Sequence, residues 1–320
     1  MFRWNKLGKV FTPQKVTGRP WLREFAQAPA TLVFDNFVRI YFSCRPLADV
    51  NGQYVSYSTY VDVDRTNLFK IRKVAEQPIL PLGALGEFDE FGIYPVSIIR
   101  DEHVVRAYYG GWTRSFSTPY TVAIGEAYSK DNGRTFQRRG PGPIISQTPD
   151  EAFVLSGPKI RKFDGYEQLF YVAGIRWAMY NGRAESIYRI RMATSEDGLA
   201  WRRNSKDIID IKLDKNECQA SPDVIKFNNR YHMFFCYKHG LDFRNSKRGY
   251  QIGYAYSDDL IKWKRKDNLV GINTSESGWD SESIAYPHVF ELDGKFYMLY
   301  LGNQVGRYGF GIAKLEGSLA

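Results

Sequence analysis

The chain has 320 residues, 43% hydrophobic and 16% aromatic, enough to bury a large core in one domain or two. Its 44 Lys and Arg against 35 Asp and Glu give a formal charge of +9, but basic residues never cluster in a long run, so the charge points to solubility or an anionic small substrate and a nucleic-acid partner is not expected. Cys44, Cys218 and Cys236 form no C-x-x-C pair, which excludes a disulfide scaffold and a cysteine zinc site. Free thiols, an N-terminus without an apolar leader and the absence of any long apolar stretch predict a cytoplasmic chain with no membrane partner.

In chain order, one unit recurs: a Pro opens a short apolar run, a turn follows, and a Tyr- and Phe-rich run returns. The spokes are Pro29, Pro95, Pro158, Pro222 and Pro287, at intervals of 66 (95−29), 63 (158−95), 64 (222−158) and 65 (287−222). The returning runs are Arg39-Ile40-Tyr41-Phe42, Arg106-Ala107-Tyr108-Tyr109, Leu169-Phe170-Tyr171-Val172, His232-Met233-Phe234-Phe235 and Phe296-Tyr297-Met298-Leu299-Tyr300. Both runs are β by composition and alternation. In the middle copies Ala-x-Ser-x-Asp then leads to an aromatic residue: Asp131 to Phe136, Asp197 to Trp201, Asp259 to Trp263. This predicts a third strand, an Asp-led turn and a fourth strand.

The fifth copy stops after its third strand at Phe310–Leu315, and the chain begins with an orphan fourth strand at Trp4–Val10. The aromatic markers Trp4, Phe69, Phe136, Trp201 and Trp263 stand 65 (69−4), 67 (136−69), 65 (201−136) and 62 (263−201) residues apart. Four strands per repeat, five repeats and a ring closed by the N-terminal strand predict an all-β, single five-bladed β-propeller over 1–320.

In such a ring the first strand of each blade lines the channel, so the residues ahead of each spoke proline and those ending the second strand gather at one mouth. The first group supplies Glu24, Glu90, Asp150, Glu151, Glu217 and Glu282; the second supplies Arg45, Trp112, Arg114, Arg176, Trp177, Lys238, His239 and Asn303. Crowded carboxylates raise some pKa values, as a general acid requires. Tryptophan offers a flat face to a sugar, and the cations and amides hydrogen-bond hydroxyls or an anionic substituent. Glu24, Glu90, Glu217 and Glu282 each stand five residues before their proline (29−24, 95−90, 222−217, 287−282), a regularity that is equally architectural. No metal or other cofactor is expected, since four His form no H-x-x-x-H pair.

The Glu217-Cys218 to Pro222-Asp223 stretch is similar to the Glu-Cys-Pro-Asp acid motif of family 32 glycoside hydrolases, with Gln219-Ala220-Ser221 standing between Cys and Pro. With its repeats, the whole chain resembles the five-bladed propeller glycoside hydrolases of families 43, 32 and 68 and the related family 130 mannoside phosphorylases. The resemblance implies a base or nucleophile in blade one, a tuning carboxylate in blade three and a general acid in blade four: Glu24, Asp150 or Glu151, and Glu217. The families' first-blade Asp-Pro is absent, Ala28 preceding Pro29, which leaves Glu90 and Glu282 as alternative bases. The expected activity is an inverting glycoside hydrolase acting on a carbohydrate, an acidic or surface-polysaccharide sugar suiting the cationic mouth. A phosphorylase or glycosyl transferase of the same fold, or a glycan-binding propeller without catalysis, are the alternatives.

Overall fold

The computed structural model describes residues 1–101, 104–245 and 248–317. Among these described residues, twenty strands make five antiparallel four-stranded sheets. The first strand, β1 (Trp4–Phe11), belongs to the last blade. Blade one is β2 (Glu24–Val33), β3 (Phe37–Arg45), β4 (Tyr57–Asp64) and β5 (Ile71–Val74); blade two is β6 (Gly92–Arg100), β7 (Val105–Arg114), β8 (Tyr120–Ser129) and β9 (Gln137–Arg138). Blade three is β10 (Leu155–Phe163), β11 (Tyr166–Tyr180), β12 (Arg183–Ser195) and β13 (Arg202–Arg203). Blade four is β14 (Glu217–Phe227), β15 (Arg230–His239), β16 (Gln251–Ser257) and β17 (Lys264–Arg265). Blade five is β18 (Ala285–Leu292), β19 (Lys295–Leu301) and β20 (Phe310–Leu315), completed by β1, whose Trp4 pairs with Leu315. The predicted propeller and its N-terminal closure are therefore both present.

Each blade is too thin to bury its apolar faces alone, so the core lies between blades. Phe11, Phe42 and Phe310 pack blade five on blade one; Tyr41 and Phe136 pack one on two; Tyr108 and Tyr171 join two to three. Phe170 and Trp263 join three to four, and Phe234 meets Trp4 between four and five. The Asp-led turns form as the sequence predicts: the carboxylates of Asp131, Asp197 and Asp259 each accept backbone N–H groups of the next residues and the hydroxyl of Ser129, Ser195 or Ser257. One marker differs. In blade one Leu68 is the buried residue, and Phe69 is 44% exposed.

Candidate active site

Every innermost strand breaks register at its spoke proline, between Gln27 and Ala30, Ile93 and Val96, Ser156 and Lys159, Ala220 and Asp223, and Ala285 and His288. Proline has no N–H to give the ladder, so it sits where the ladder is interrupted, and the bulge re-aims its neighbours. The preceding residue is left-handed in four blades (Ala28 φ 52°, Gly157 φ 59°, Ser221 φ 50°, Tyr286 φ 52°), and in blade two Tyr94 precedes a cis proline. All five of these residues line one central cavity of about 990 Å³.

The cavity walls carry Arg45, Arg114, Lys159, Arg183 and Arg244 against a single carboxylate, Glu185, among the described residues. Arg183 and Glu185 come from β12, whose hairpin with β11 is the longest in the ring and reaches over the mouth. Glu185 is ion-paired with Arg244. Between these charges stand tyrosines. Tyr94 OH donates to Tyr286 OH at 2.7 Å, and Tyr188 hydrogen-bonds Tyr250. Burial pushes the Tyr94 and Tyr120 hydroxyls up to about 12, and those of Tyr188, Tyr250 and Tyr286 well above the usual phenol value. They remain neutral donors over any physiological pH. Hydroxyl donors, guanidinium groups and one carboxylate suit a polyhydroxy ligand with an anionic partner or substituent.

Of the residues expected at the mouth, Arg45, Trp112 and Arg114 line this cavity. Trp112 lies across Gly92, where a Cβ would come within 1.7 Å of its ring nitrogen. Glu24 stands at the rim, accepting from Tyr54 OH at 2.8 Å and held by Arg307; Tyr54 and Arg45 carry its side of the wall. Trp177 packs edge-on against the cavity residue Tyr120. Lys238 is buried behind the wall beside Phe243, Tyr188 and Tyr250; burial lowers its pKa to about 8. Arg176 bonds Asn216, His239 lies 3.3 Å from Asp214, and Asn303 fastens the Gly278–Ser283 turn. Glu90 caps Gly86 N–H, while Asp150 and Glu282 are exposed.

Glu151 and Glu217 lie elsewhere, and the reason is a repeated clasp. Glu217 is fully buried and accepts from Arg265 at 2.6 Å, Gln219 at 2.8 Å and the N–H groups of Lys212 and Leu213 at 2.8 Å. Burial alone would raise its pKa, but these donors more than offset it and hold the carboxyl below the usual range. Glu151 takes Tyr171, Arg191 and Arg203; Asp89 takes Tyr109 and Arg138; Asp280 takes Tyr300 and Lys6. In four blades, then, an acid at the start of the first strand or just ahead of it grips a cation on the fourth. The clasp sits six, seven, five and seven residues before its proline (95−89, 158−151, 222−217, 287−280), so the constant five-residue spacing is not what defines it. In blade four Ala220 and Ser221, not Glu217, form the cavity wall.

Lys159, Glu185, Arg183, Arg244, Ser221 and the tyrosines were not among the expected residues. Those flanking the spoke prolines were within reach, because a proline inside a channel-lining strand signals a bulge that turns its neighbours inward. Glu185 had no comparable signal, since only the length of its hairpin brings it to the mouth.

No protein-family model matches the sequence. Over 314 residues the chain is 34% identical to the uncharacterized protein Rv1502 of Mycobacterium tuberculosis, covering 98% of this chain and 99% of that one. It is 24% identical over 254 residues to a 1,2-β-oligomannan phosphorylase of a Thermoanaerobacter species, covering 78% and 77%. Among solved structures, a glycoside hydrolase superposes with a TM-score of 0.75 at 15% identity over 98% of this chain and 92% of that one. A GH130 structure reported with glycoside hydrolases that target β-1,2 mannosidic linkages in Candida mannan gives 0.70 at 14% identity, over 98% and 94%. At these identities the solved structures establish the fold, which is that of propeller glycoside hydrolases and mannoside phosphorylases.

Proposed function

The chain belongs to the same family as the uncharacterized mycobacterial protein Rv1502, and from there we propose that it is a glycoside phosphorylase, cleaving or forming a glycosidic bond with phosphate in place of water. The observation that carries this reading is the charge of the cavity: five cations and one carboxylate among the described residues. An inverting hydrolase needs two carboxylates, one to protonate the leaving oxygen and one to activate water. Phosphate is already an anionic nucleophile and needs no base; it needs cations to hold it, and planar guanidinium groups match its oxygens in pairs.

In this scheme Glu185 gives its proton to the glycosidic oxygen as the bond from that oxygen to the anomeric carbon breaks. A phosphate oxygen, held by the cavity's cations, forms the new bond to the same carbon from the opposite face. The products are a sugar 1-phosphate of inverted configuration and a shortened glycan, and the reverse step returns the proton to Glu185. Arg244 is Glu185's ion-pair partner and, moving to the arriving phosphate, releases the carboxyl to take up its proton. The likeness to an oligomannan phosphorylase makes β-1,2-linked oligomannosides the first substrates to try.

The test is product analysis of oligosaccharides incubated with and without phosphate. Sugar 1-phosphate formed only with phosphate, and lost in Glu185→Gln, is the expected result. Equal cleavage in phosphate-free buffer returns the assignment to a hydrolase, with rim Glu24 as second carboxylate. Binding without cleavage in either buffer leaves a glycan-binding propeller.

A further inference from the structure

We propose that the cavity floor is a seat for one compact oxyanion, built on the ammonium of Lys159 and the hydroxyl of Ser221. The inference rests on reading the cavity as the substrate site and goes on to name what its most buried polar wall takes. Lys159 follows Pro158 in the blade-three bulge and lines the cavity although only 3% exposed. Its Nζ meets Pro29 O at 3.3 Å and His288 Nδ1 at 3.4 Å, and it has no ion pair among the described residues. The nearby carboxylate of Asp223 is already committed to Arg161, to His288 at 3.2 Å and to the N–H of Val289.

The count beneath the cavity is thus two cations, Arg161 and Lys159, for one anion, Asp223. His288 adds no charge, since burial presses its pKa down to about 4. A buried cation in excess of its counter-charges is costly for a fold to keep, and it persists where a ligand supplies the missing charge. Ser221 gives an independent sign: 4% exposed, lining the same cavity, its Oγ has no hydrogen-bond partner among the described residues. Arg45, which lines the same cavity, likewise leaves its Nε without one among the described residues. Lys159, Ser221, Arg45, Tyr94 and Tyr286 line the same cavity, and donors of this kind suit an oxyanion of phosphate or carboxylate size. Two sources share that chemistry, the phosphate co-substrate and the carboxylate of a uronic acid.

The seat is also sensitive to pH. Burial lowers the Lys159 pKa to about 8; Asp223 and Cys236 oppose the shift, and Arg161 adds to it. The other titratable groups around it are His288 and Tyr286 on β18 and Tyr94 on β6, all neutral at pH 7. Anion affinity should therefore fall as pH rises from 7 to 9.

The experiment is calorimetric binding of inorganic phosphate, glucuronate and, as neutral control, mannose to the full chain, without any glycoside present. The expected result is that phosphate or glucuronate binds, that Lys159→Met weakens it about 30-fold and Ser221→Ala about 10-fold, and that mannose does not distinguish Lys159→Met from wild type. Whichever anion responds identifies the source. For glucuronate, whose charge is constant over this range, the affinity should drop between pH 7 and 9 in wild type and not in Lys159→Arg. Unliganded Lys159→Met should melt at or above the wild-type temperature, because it removes a buried charge that no ion pair holds among the described residues. The seat is overturned if wild type binds neither anion, or if Lys159→Met or Ser221→Ala binds as wild type does. Binding is read without turnover, so failure of the phosphorylase reading shows separately as absent cleavage.

Discussion

Replacing Glu217 by Gln separates an architectural carboxylate from a catalytic one. The substitution keeps the volume and removes the charge, leaving Arg265, whose side chain is 7% exposed, with the buried carboxylate of Asp267 as its remaining counter-ion. Losing one of two charged partners costs about 2–3 kcal/mol, less than the 3–5 kcal/mol or so of a wholly orphaned buried charge. At about 2.1 cal/mol/K per residue, the 320 residues have an unfolding entropy near 0.7 kcal/mol/K, so Tm should fall by roughly 3–4 °C. Calorimetry gives the Tm, and turnover is measured well below the transition, where the surviving folded protein should retain its kcat. Glu151→Gln, which disturbs the same clasp in blade three, should behave alike. The result that refutes this reasoning is a Glu217→Gln protein of unchanged Tm and abolished turnover, for then the carboxylate acts on substrate.

Glu185→Gln should do the reverse, lowering kcat by about 10²–10⁴-fold as loss of a general acid does, with a small change in Tm because its partner Arg244 is half exposed. Arg114→Ala should raise the KM for phosphate more than that for the glycan, read from two-substrate kinetics. Burial raises the pKa of Cys44, Cys218 and Cys236, so none should react with an aromatic disulfide reagent until denaturant is added. Lys159 and Lys238 titrate near 8 when folded and near 10.5 when unfolded. Between those values the unfolded chain holds more protons, so each lysine's contribution to stability rises with pH. The three thiols act in the opposite sense, so the check is the difference between wild type and Lys159→Met, which should narrow from pH 8 to 10.

The propeller was legible because it is written five times. A spoke proline, a returning aromatic run and an Asp-led turn repeat at nearly equal intervals, and the orphan strand at Trp4 needs a partner that only Phe310–Leu315 offers. The site was harder to read because the same repetition hides it. Carboxylates such as Glu217 recur at the blade edge for reasons of clasping, and from sequence they are indistinguishable from acids that face a ligand. What separates them is direction, which the bulge decides. Ala28, Gly157 and Ser221, small residues that announce nothing, face the cavity, while Glu217, five residues from its proline, turns to Arg265. Arg45, Trp112 and Arg114 reach the cavity because the ends of second strands point one way in any propeller. Glu185 depended on hairpin length, which no local pattern encodes.

The pairing of β1 with β20 joins residues as far apart as Trp4 and Leu315, 311 positions (315−4). During synthesis the earlier strand must wait, unpaired, for nearly the whole chain to emerge. Such non-local closure gives a high contact order and a slow final folding step. Until that step both strands present open edges, ready to pair with another molecule. A foreign segment fused directly ahead of Trp4 would therefore hinder the molecule at its latch before it touched the cavity, and concentrated refolding should favour chains that latch onto one another.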